Sequence, residues 1–137
     1  MEVYFDSSVM LSVIFQQSPR LERWAFWDKA YTSAITRTEC RRNIDRARLE
    51  GRLSDVTVTN AHWELNVLLR ELDTVALSSE LLEAAGAPMS TVVKTLDAIH
   101  LTMARALRVD VPGLVFATHD RQQAIAARAM GFDTLGV

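Results

Sequence analysis

The sequence predicts an α/β domain with a central, mostly parallel sheet and helices on both faces. Short runs of β-forming residues alternate with longer segments of helical periodicity, the pattern of parallel strands joined by crossover helices. The chain of 137 residues is long enough for one domain, and no internal repeat, low-complexity segment or linker divides it. We therefore expect a single domain over residues 1–137.

Caps and chain breakers set the predicted elements of the first half of the chain. Ser18-Pro19 is typical of a helix start, with serine as the cap and proline in the first turn. Gly51 ends a helix that begins in the pattern T-x-x-E. In order we predict a strand at 3–5, a helix after Asp6, a helix at about 18–30, a strand at 31–35 and a helix from Thr36 to about Glu50.

The second half of the chain continues the alternation. GLVFAT, bounded by Pro112 and Gly113, is the clearest strand of the sequence, and Ser90 is a candidate cap for a long helix. The predicted elements are a helix at about 60–72, a strand at 74–77, a short helix before Pro88, a helix from about Thr91 to Arg108, a strand at 113–118, a helix ending at Gly131 and an edge strand at 133–137.

Composition narrows the classes of protein. A net charge of −2 argues against a broad basic surface, so any contact with RNA must come from a local patch. The first residues contain Glu2 and Asp6 where a signal peptide is basic, and their apolar run is shorter than the ~18 residues of a membrane span. The lone Cys40 excludes an internal disulfide and indicates a buried filler more than a nucleophile. We expect a cytoplasmic protein without membrane contact.

Four acidic residues occupy positions where α/β proteins place their function. Asp6, Glu39 and Asp120 each follow a predicted strand, and function in such sheets gathers beyond the carboxyl ends of the strands. Asp97 lies in a helix, at the flank of an apolar stripe that contains Leu96. A carboxylate there needs a hydrogen-bond partner, a proton or a cation.

Each acid also has a structural interpretation. Asp6 and Asp120 can cap the helices that follow them, and Glu39 can be the partner of Thr36 in a capping box. For Asp97 the sequence offers no cap and no base four residues away, which leaves a hydroxyl from elsewhere in the fold.

A cation accounts for all four acids together. Converging carboxylates repel each other by roughly 1–4 kcal/mol per pair at short range, and a divalent cation removes this repulsion. Oxygen ligands without cysteine or paired histidine favour Mg²⁺ or Mn²⁺ over Zn²⁺.

Four motifs in this order resemble the PIN-domain nucleases, and especially the VapC toxins of toxin–antitoxin pairs. They are VYFDSSV at the start, T-x-x-E at Thr36, LDAIHLTMA at 96–104 and FATHD at 116–120. Residues 51–90 contain no matching motif. The resemblance implies that the quartet binding Mg²⁺ or Mn²⁺ is Asp6, Glu39, Asp97 and Asp120, with Ser8 and Thr118 as the hydroxyls that order it.

The same resemblance implies an activity and partners. Members of the family cleave RNA internally, are neutralised by a small antitoxin and are usually homodimers. The expected chemistry is metal-assisted phosphodiester hydrolysis. One cation would be held by Asp6, Asp97 and Asp120, and Glu39 would complete the site. A phosphohydrolase and a non-catalytic binding module stay open as alternatives. The former normally needs D-x-D where this chain has Ser7-Ser8, and the latter would be expected to lose acids.

Two arginines are candidates for RNA contact. Arg42 and Arg46 follow Glu39 by three and seven positions, so the three share one helix face. They can receive substrate phosphates, hold Glu39, or form part of a solvated charged surface.

Histidines and aromatic residues have alternatives as well. His100 forms D-x-x-H in the apolar stripe, which indicates a hydrogen-bonded core histidine more than a metal ligand. His119 is a weak candidate for substrate contact. Trp24, Phe26 and Trp27 are either core residues or anchors for the partner.

Overall fold

The structure is a computed structural model that describes residues 1–16 and 26–137. In chain order its elements are β1 (Glu2–Phe5), α1 (Ser7–Ile14), β2 (Lys29–Ser33), α2 (Thr36–Leu49), α3 (Asp55–Arg70), β3 (Asp73–Val75), α4 (Ser79–Ala85), α5 (Thr95–Leu107), β4 (Val115–Ala117), α6 (Arg121–Ala129) and β5 (Thr134–Leu135). Within these described ranges, none of the helices combines the length and the apolar character that crossing a membrane requires.

The five strands form one sheet in the order β3-β2-β1-β4-β5, and every pair of neighbours is parallel. In the central strand, Val3 is paired with Ala30 of β2 and with Val115 of β4. Parallel pairing brings the carboxyl ends of the strands to one edge of the sheet, which is where α/β proteins place their sites. The predicted fold class is confirmed.

The alternating side chains of β1 divide the core into two parts. Val3 and Phe5 are fully buried in a cluster with residues of α1, α2 and α3. Tyr4 points to the other face and packs with residues of α5 and α6, including Leu101 and Ala126. The sheet thus has helices on both faces, as the alternation of strand and helix patterns predicts.

Helix α5 begins at Thr95, four residues later than the sequence predicts, and Ser90 does not cap it. Its N-cap residue is Lys94, whose backbone is extended (φ −75°, ψ 164°). Thr91, Val92 and Val93 precede this residue, and β-branched side chains lose rotamer freedom in a helix. The later start places Asp97 in the first turn of the helix.

Other boundaries also differ from the prediction. Most of the helix expected at about 18–30 lies outside the described residues, but its predicted end is wrong, because Phe26 and Trp27 are not helical and β2 begins at Lys29. Helix α3 begins at Asp55, earlier than expected, because the Ser54 hydroxyl caps it by accepting a hydrogen bond from the Thr57 N–H at 3.2 Å.

Candidate active site

Asp6 lies directly after β1 and is the N-cap of α1. Its Oδ1 atom accepts hydrogen bonds from the Ser8 N–H at 3.1 Å, the Ser8 hydroxyl at 2.6 Å and the Val9 N–H at 3.3 Å. Its Oδ2 atom accepts one from the Thr118 hydroxyl at 2.9 Å. The structural interpretation of Asp6 as a helix cap is therefore correct, and the same contacts fix the carboxylate at the edge of the sheet.

Burial is the main influence on the Asp6 carboxyl. The side chain is almost inaccessible to solvent, and this desolvation raises the pKa of Asp6 above its usual value. The His100 imidazole and the hydrogen bonds from Ser8, Thr118 and Val9 lower the pKa and offset part of the increase. The charged form of Asp6 is thus costly in the absence of a positive charge.

Thr118 connects Asp6 to Asp120. It is fully buried directly after β4, and its hydroxyl oxygen accepts a hydrogen bond from the Asp120 N–H at 3.0 Å. The same hydroxyl lies 2.9 Å from Asp6 Oδ2 and 2.8 Å from Gln123 Oε1. Asp120 is in turn the N-cap of α6, where its Oδ1 atom accepts the Gln123 N–H at 2.9 Å. One hydroxyl therefore sets the positions of two acidic residues that come from different strands.

Glu39 reaches the same edge from α2, and it does not belong to a capping box. The N-cap of α2 is Ile35, and the buried Thr36 hydroxyl lies 2.7 Å from that of Thr32 instead of capping the helix. The capping-box interpretation is therefore wrong, and the physical reason is that Thr36 packs beneath the strand. The Glu39 carboxylate accepts hydrogen bonds from the Ser7 hydroxyl at 3.0 Å and from His100 Nε2 at 2.6 Å.

Asp97 is half-buried in the first turn of α5. Desolvation raises its pKa, the negative charges of Asp120 and Glu39 raise it further, and His100 and the Lys94 N–H lower it. The later helix start places the Lys94 N–H near Asp97, where it lowers the pKa of the carboxyl. The charges of Asp120 and Glu39 thus both act on the Asp97 carboxyl, which places the three acids near one another.

The donors at this edge match a hard divalent cation in chemistry and charge. They are carboxylate and hydroxyl oxygens, the ligands that Mg²⁺ and Mn²⁺ prefer. Among the ion pairs of residues 1–16 and 26–137, none involves Asp6, Asp97 or Asp120, so their negative charge is not neutralised by a basic side chain. Within the same residues, no three His, Cys, Asp or Glu side chains already form a closed ligand set. The residues fit the cation by type and charge, and binding requires the side chains to move closer.

Arg42 and Arg46 are exposed on α2. Arg42 forms an ion pair with Asp45 at 3.0 Å, and Glu39 is held by Ser7 and His100. The hypothesis that Arg42 holds Glu39 is therefore wrong, whereas phosphate contact by the two arginines stays a prediction.

The two histidines within the motifs, His100 and His119, both make hydrogen bonds inside the fold. His100 has 1% exposure and is hydrogen-bonded on both ring nitrogens, so the prediction of a core histidine is confirmed. His119 Nδ1 lies 2.8 Å from the Gly136 carbonyl and its Nε2 lies 3.1 Å from the Ser12 hydroxyl. Through these contacts His119 connects the segment after β5 to helix α1.

Cys40 is completely buried. Burial, and then the nearby Glu39 and Asp6 carboxylates, raise its pKa to about 12, so the thiol stays protonated and unreactive. The prediction of a buried filler is confirmed.

Sequence reasoning missed Ser7 and the link between His100 and Glu39. The signal for Ser7 is weak, because a serine after Asp6 is equally expected in a first helical turn. For His100 the signal was present. The alternation of VYF turns Tyr4 toward the face that the apolar stripe of α5 covers, so a partner for the imidazole was available there.

The chain is a parallel α/β domain with acidic residues beyond the carboxyl ends of its strands. The family model for the PIN domain matches residues 3–129, and the chain belongs to this family. The predicted resemblance to VapC proteins is confirmed. A relative named Ribonuclease VapC46 from Mycobacterium tuberculosis (strain ATCC 25618 / H37Rv) is 31% identical over 136 residues, with coverage of 94% of this chain and 92% of the relative.

Solved structures share the fold at low sequence identity. The chain is similar to one in the crystal structure of VapBC2 from Rickettsia felis bound to a DNA fragment from their promoter, with a TM-score of 0.65, 14% identity and coverage of 98% and 97% of the two chains. A chain of FitAcB from Neisseria gonorrhoeae gives a TM-score of 0.57, 17% identity and coverage of 96% and 95%.

Proposed function

We propose that the protein is an endoribonuclease that depends on Mg²⁺ or Mn²⁺ and hydrolyses RNA phosphodiester bonds. The observation that carries this proposal is the proximity of Asp120 and Glu39 to Asp97, whose pKa their charges raise, at the edge of the sheet where Asp6 is buried. The name of the mycobacterial relative, a ribonuclease, supports a nuclease over a phosphohydrolase or a binding module.

The amino ends of three helices surround the acids. Asp6 and Asp120 are the N-caps of α1 and α6, and Asp97 lies in the first turn of α5. Helix amino termini have partial positive charge and free N–H groups, so they stabilise carboxylates and favour anionic ligands such as phosphate. This arrangement permits several negative side chains and a negative substrate to share one pocket.

The residues divide the work by their contacts. A bound divalent cation supplies Lewis-acid activation of water and positive charge opposite the scissile phosphate. Asp6, Asp97 and Asp120 hold that cation, with Ser8 and Thr118 keeping the Asp6 carboxylate in place. Glu39, fixed through both of its oxygens, completes the site or orients the attacking water.

We also propose the partners of a toxin. Both structural neighbours described above carry the names of two-component assemblies, one of them on promoter DNA, which supports a small antitoxin as the partner of this chain. A homodimer and an RNA substrate complete the proposal, with Arg42 and Arg46 as the residues that contact phosphate.

RNA cleavage tests this function. Purified protein incubated with total cellular RNA should produce defined new 5′ ends with Mn²⁺ and none with excess EDTA. Asp120→Asn should lower the cleavage rate by about a hundredfold or more, as expected when one member of a catalytic assembly is lost. The matched control is Asp110→Asn, which removes an exposed acid after α5 and should cleave like the wild type. Equal cleavage in EDTA would show that the metal mechanism is wrong.

A further inference from the structure

The Glu39 carboxylate is held by a chain of buried side chains that starts in the middle of the sheet. His100 Nε2 lies 2.6 Å from Glu39 Oε1, and His100 Nδ1 lies 2.9 Å from the Tyr4 hydroxyl. Tyr4 is fully buried in β1 and stacks on Phe116 of β4, with ring centroids 5.5 Å apart and an interplanar angle of 15°. The chain therefore connects two central strands to an acid on α2.

This connection removes freedom that Glu39 would otherwise have. A glutamate side chain on a helix surface has several accessible rotamers, and fixing one of them costs conformational entropy. Without other contacts, the binding of a metal or a water would have to offset this cost. The hydrogen bonds from Ser7 and His100 already fix both oxygens. His100 itself cannot turn away, because it has 1% exposure and lies edge-on to Tyr4 at 72°.

The donors and acceptors that each group has available limit where the protons of Tyr4, His100 and Glu39 lie. An ionised carboxylate only accepts, so His100 Nε2 is the donor to Glu39. The Tyr4 hydroxyl lies 2.9 Å from Nδ1, and it donates to that nitrogen when the imidazole is neutral. Tyr4 keeps its proton, because burial and then the charges of Asp6 and Glu39 raise its pKa well above the usual value.

His100 also shares a helix with Asp97, one turn earlier in α5. Asp97 and His100 thus enter the site from one rigid element, and the distance between Asp97 and the Glu39 carboxylate is set by the geometry of that helix turn. A shift of α5 would move Asp97 and His100 together.

We propose that His100, supported by Tyr4, is a positioning residue that presets the Glu39 carboxylate for the cation site. This inference rests on the proposed function only in that a cation binds at this site. The orientation of Glu39 is a property of the metal-free protein. Removing a partner that orients a ligand typically weakens metal affinity by about 10- to 100-fold.

Binding of Mn²⁺ to the RNA-free protein is the first test. His100→Leu should weaken Mn²⁺ binding by about 10- to 100-fold. His100→Gln, whose amide NH₂ can reach the place of Nε2, should restore affinity to within about threefold of wild type. Tyr4→Phe, which keeps the ring and removes the hydroxyl, should give an intermediate loss. The matched control is His62→Gln on α3, outside the chain of contacts. Equal affinities of the His100→Leu and His100→Gln variants would overturn the proposal.

The tautomer of His100 is the second test and needs no metal. Long-range ¹H–¹⁵N correlation spectra of the metal-free wild type should show a protonated Nε2, and Glu39→Gln should change the Nε2 signal. A ring protonated on Nδ1 alone would overturn the proposal. If the wild type binds no Mn²⁺, the proposed function fails, while the tautomer still decides whether His100 donates to Glu39.

Discussion

At the scale of the residue, the acids of this protein serve two purposes at once. Asp6 and Asp120 cap helices and also face the proposed cation site, so the structural and the functional interpretation of each are compatible. Sequence reasoning placed Asp6, Glu39 and Asp120 after strands and Asp97 at the flank of the apolar stripe of a helix. It was wrong on Thr36, because a T-x-x-E pattern does not tell whether the hydroxyl faces the helix end or the buried strand.

The first prediction concerns the charge of Asp97. Because folding raises the Asp97 pKa above 3.8, its contribution to stability is full below that pH and is lost as pH rises through the folded-state pKa. Asn stays uncharged, so Asp97→Asn should increase the free energy of unfolding of the metal-free protein at neutral pH. The gain should not exceed about 1 kcal/mol, because the group is half-exposed and screened. Urea unfolding at several pH values measures it, and a gain that persists at about pH 3, below the usual pKa of an aspartate, would contradict this cause.

The second prediction concerns the Thr118 hydroxyl. Thr118→Val keeps the shape but removes the donor to Asp6 and the acceptor for the Asp120 N–H. Buried groups left without a partner cost about 1–3 kcal/mol, so the free energy of unfolding should fall by that amount. Thr118→Ser is the control, since it keeps the hydroxyl. Equal losses in both variants would mean that packing of the methyl group, and not the hydrogen bonds, is what matters.

At the scale of the element, periodicity located the helices and strands, but their ends depended on contacts that periodicity does not contain. The start of α5 is the instructive case. A helical pattern continues back to Thr91, yet the run of β-branched residues delays the helix to Thr95. That shift places Asp97 in the first turn of α5, which changes the surroundings of its carboxylate.

Serine caps provide the prediction at this scale. Ser54 caps α3, whereas the exposed Ser90 caps no helix. Ser54→Ala should lower the free energy of unfolding by about 1 kcal/mol. Ser90→Ala should change it by less than about 0.5 kcal/mol. Denaturant titration of the two variants side by side measures both, and a larger loss at Ser90 would contradict the later helix start.

At the scale of the whole molecule, the alternation of strand and helix patterns predicted the fold class and left the strand order undetermined. The order β3-β2-β1-β4-β5 places β1 in the centre, and this follows from how crossovers pack, which local patterns do not contain. The contact between His100 and Glu39 spans 61 positions in the chain. Such a pairing requires the assembled sheet before it can be recognised.

The prediction at this scale is occlusion by a partner chain. Negative groups that attract a divalent cation also attract an arginine or lysine, which would exclude cation and substrate together. Trp24, one of the two tryptophans considered as partner anchors, lies outside the described residues, and Trp27 is half-buried against Phe5. A cognate antitoxin, when co-purified with the chain, should abolish Mn²⁺ binding and RNA cleavage. A complex that binds Mn²⁺ as tightly as the free chain would contradict occlusion.

The most direct test of the cation site is anomalous diffraction from crystals of the protein grown with Mn²⁺. We predict an anomalous peak at the carboxyl edge of the sheet, about 2.1–2.3 Å from carboxylate oxygens of Asp6, Asp97 and Asp120, with Glu39 in direct contact or one water away. Asp120→Asn should weaken or remove that peak. A wild-type crystal saturated with Mn²⁺ in which the peak is absent from this edge, or lies at other residues, would contradict the account.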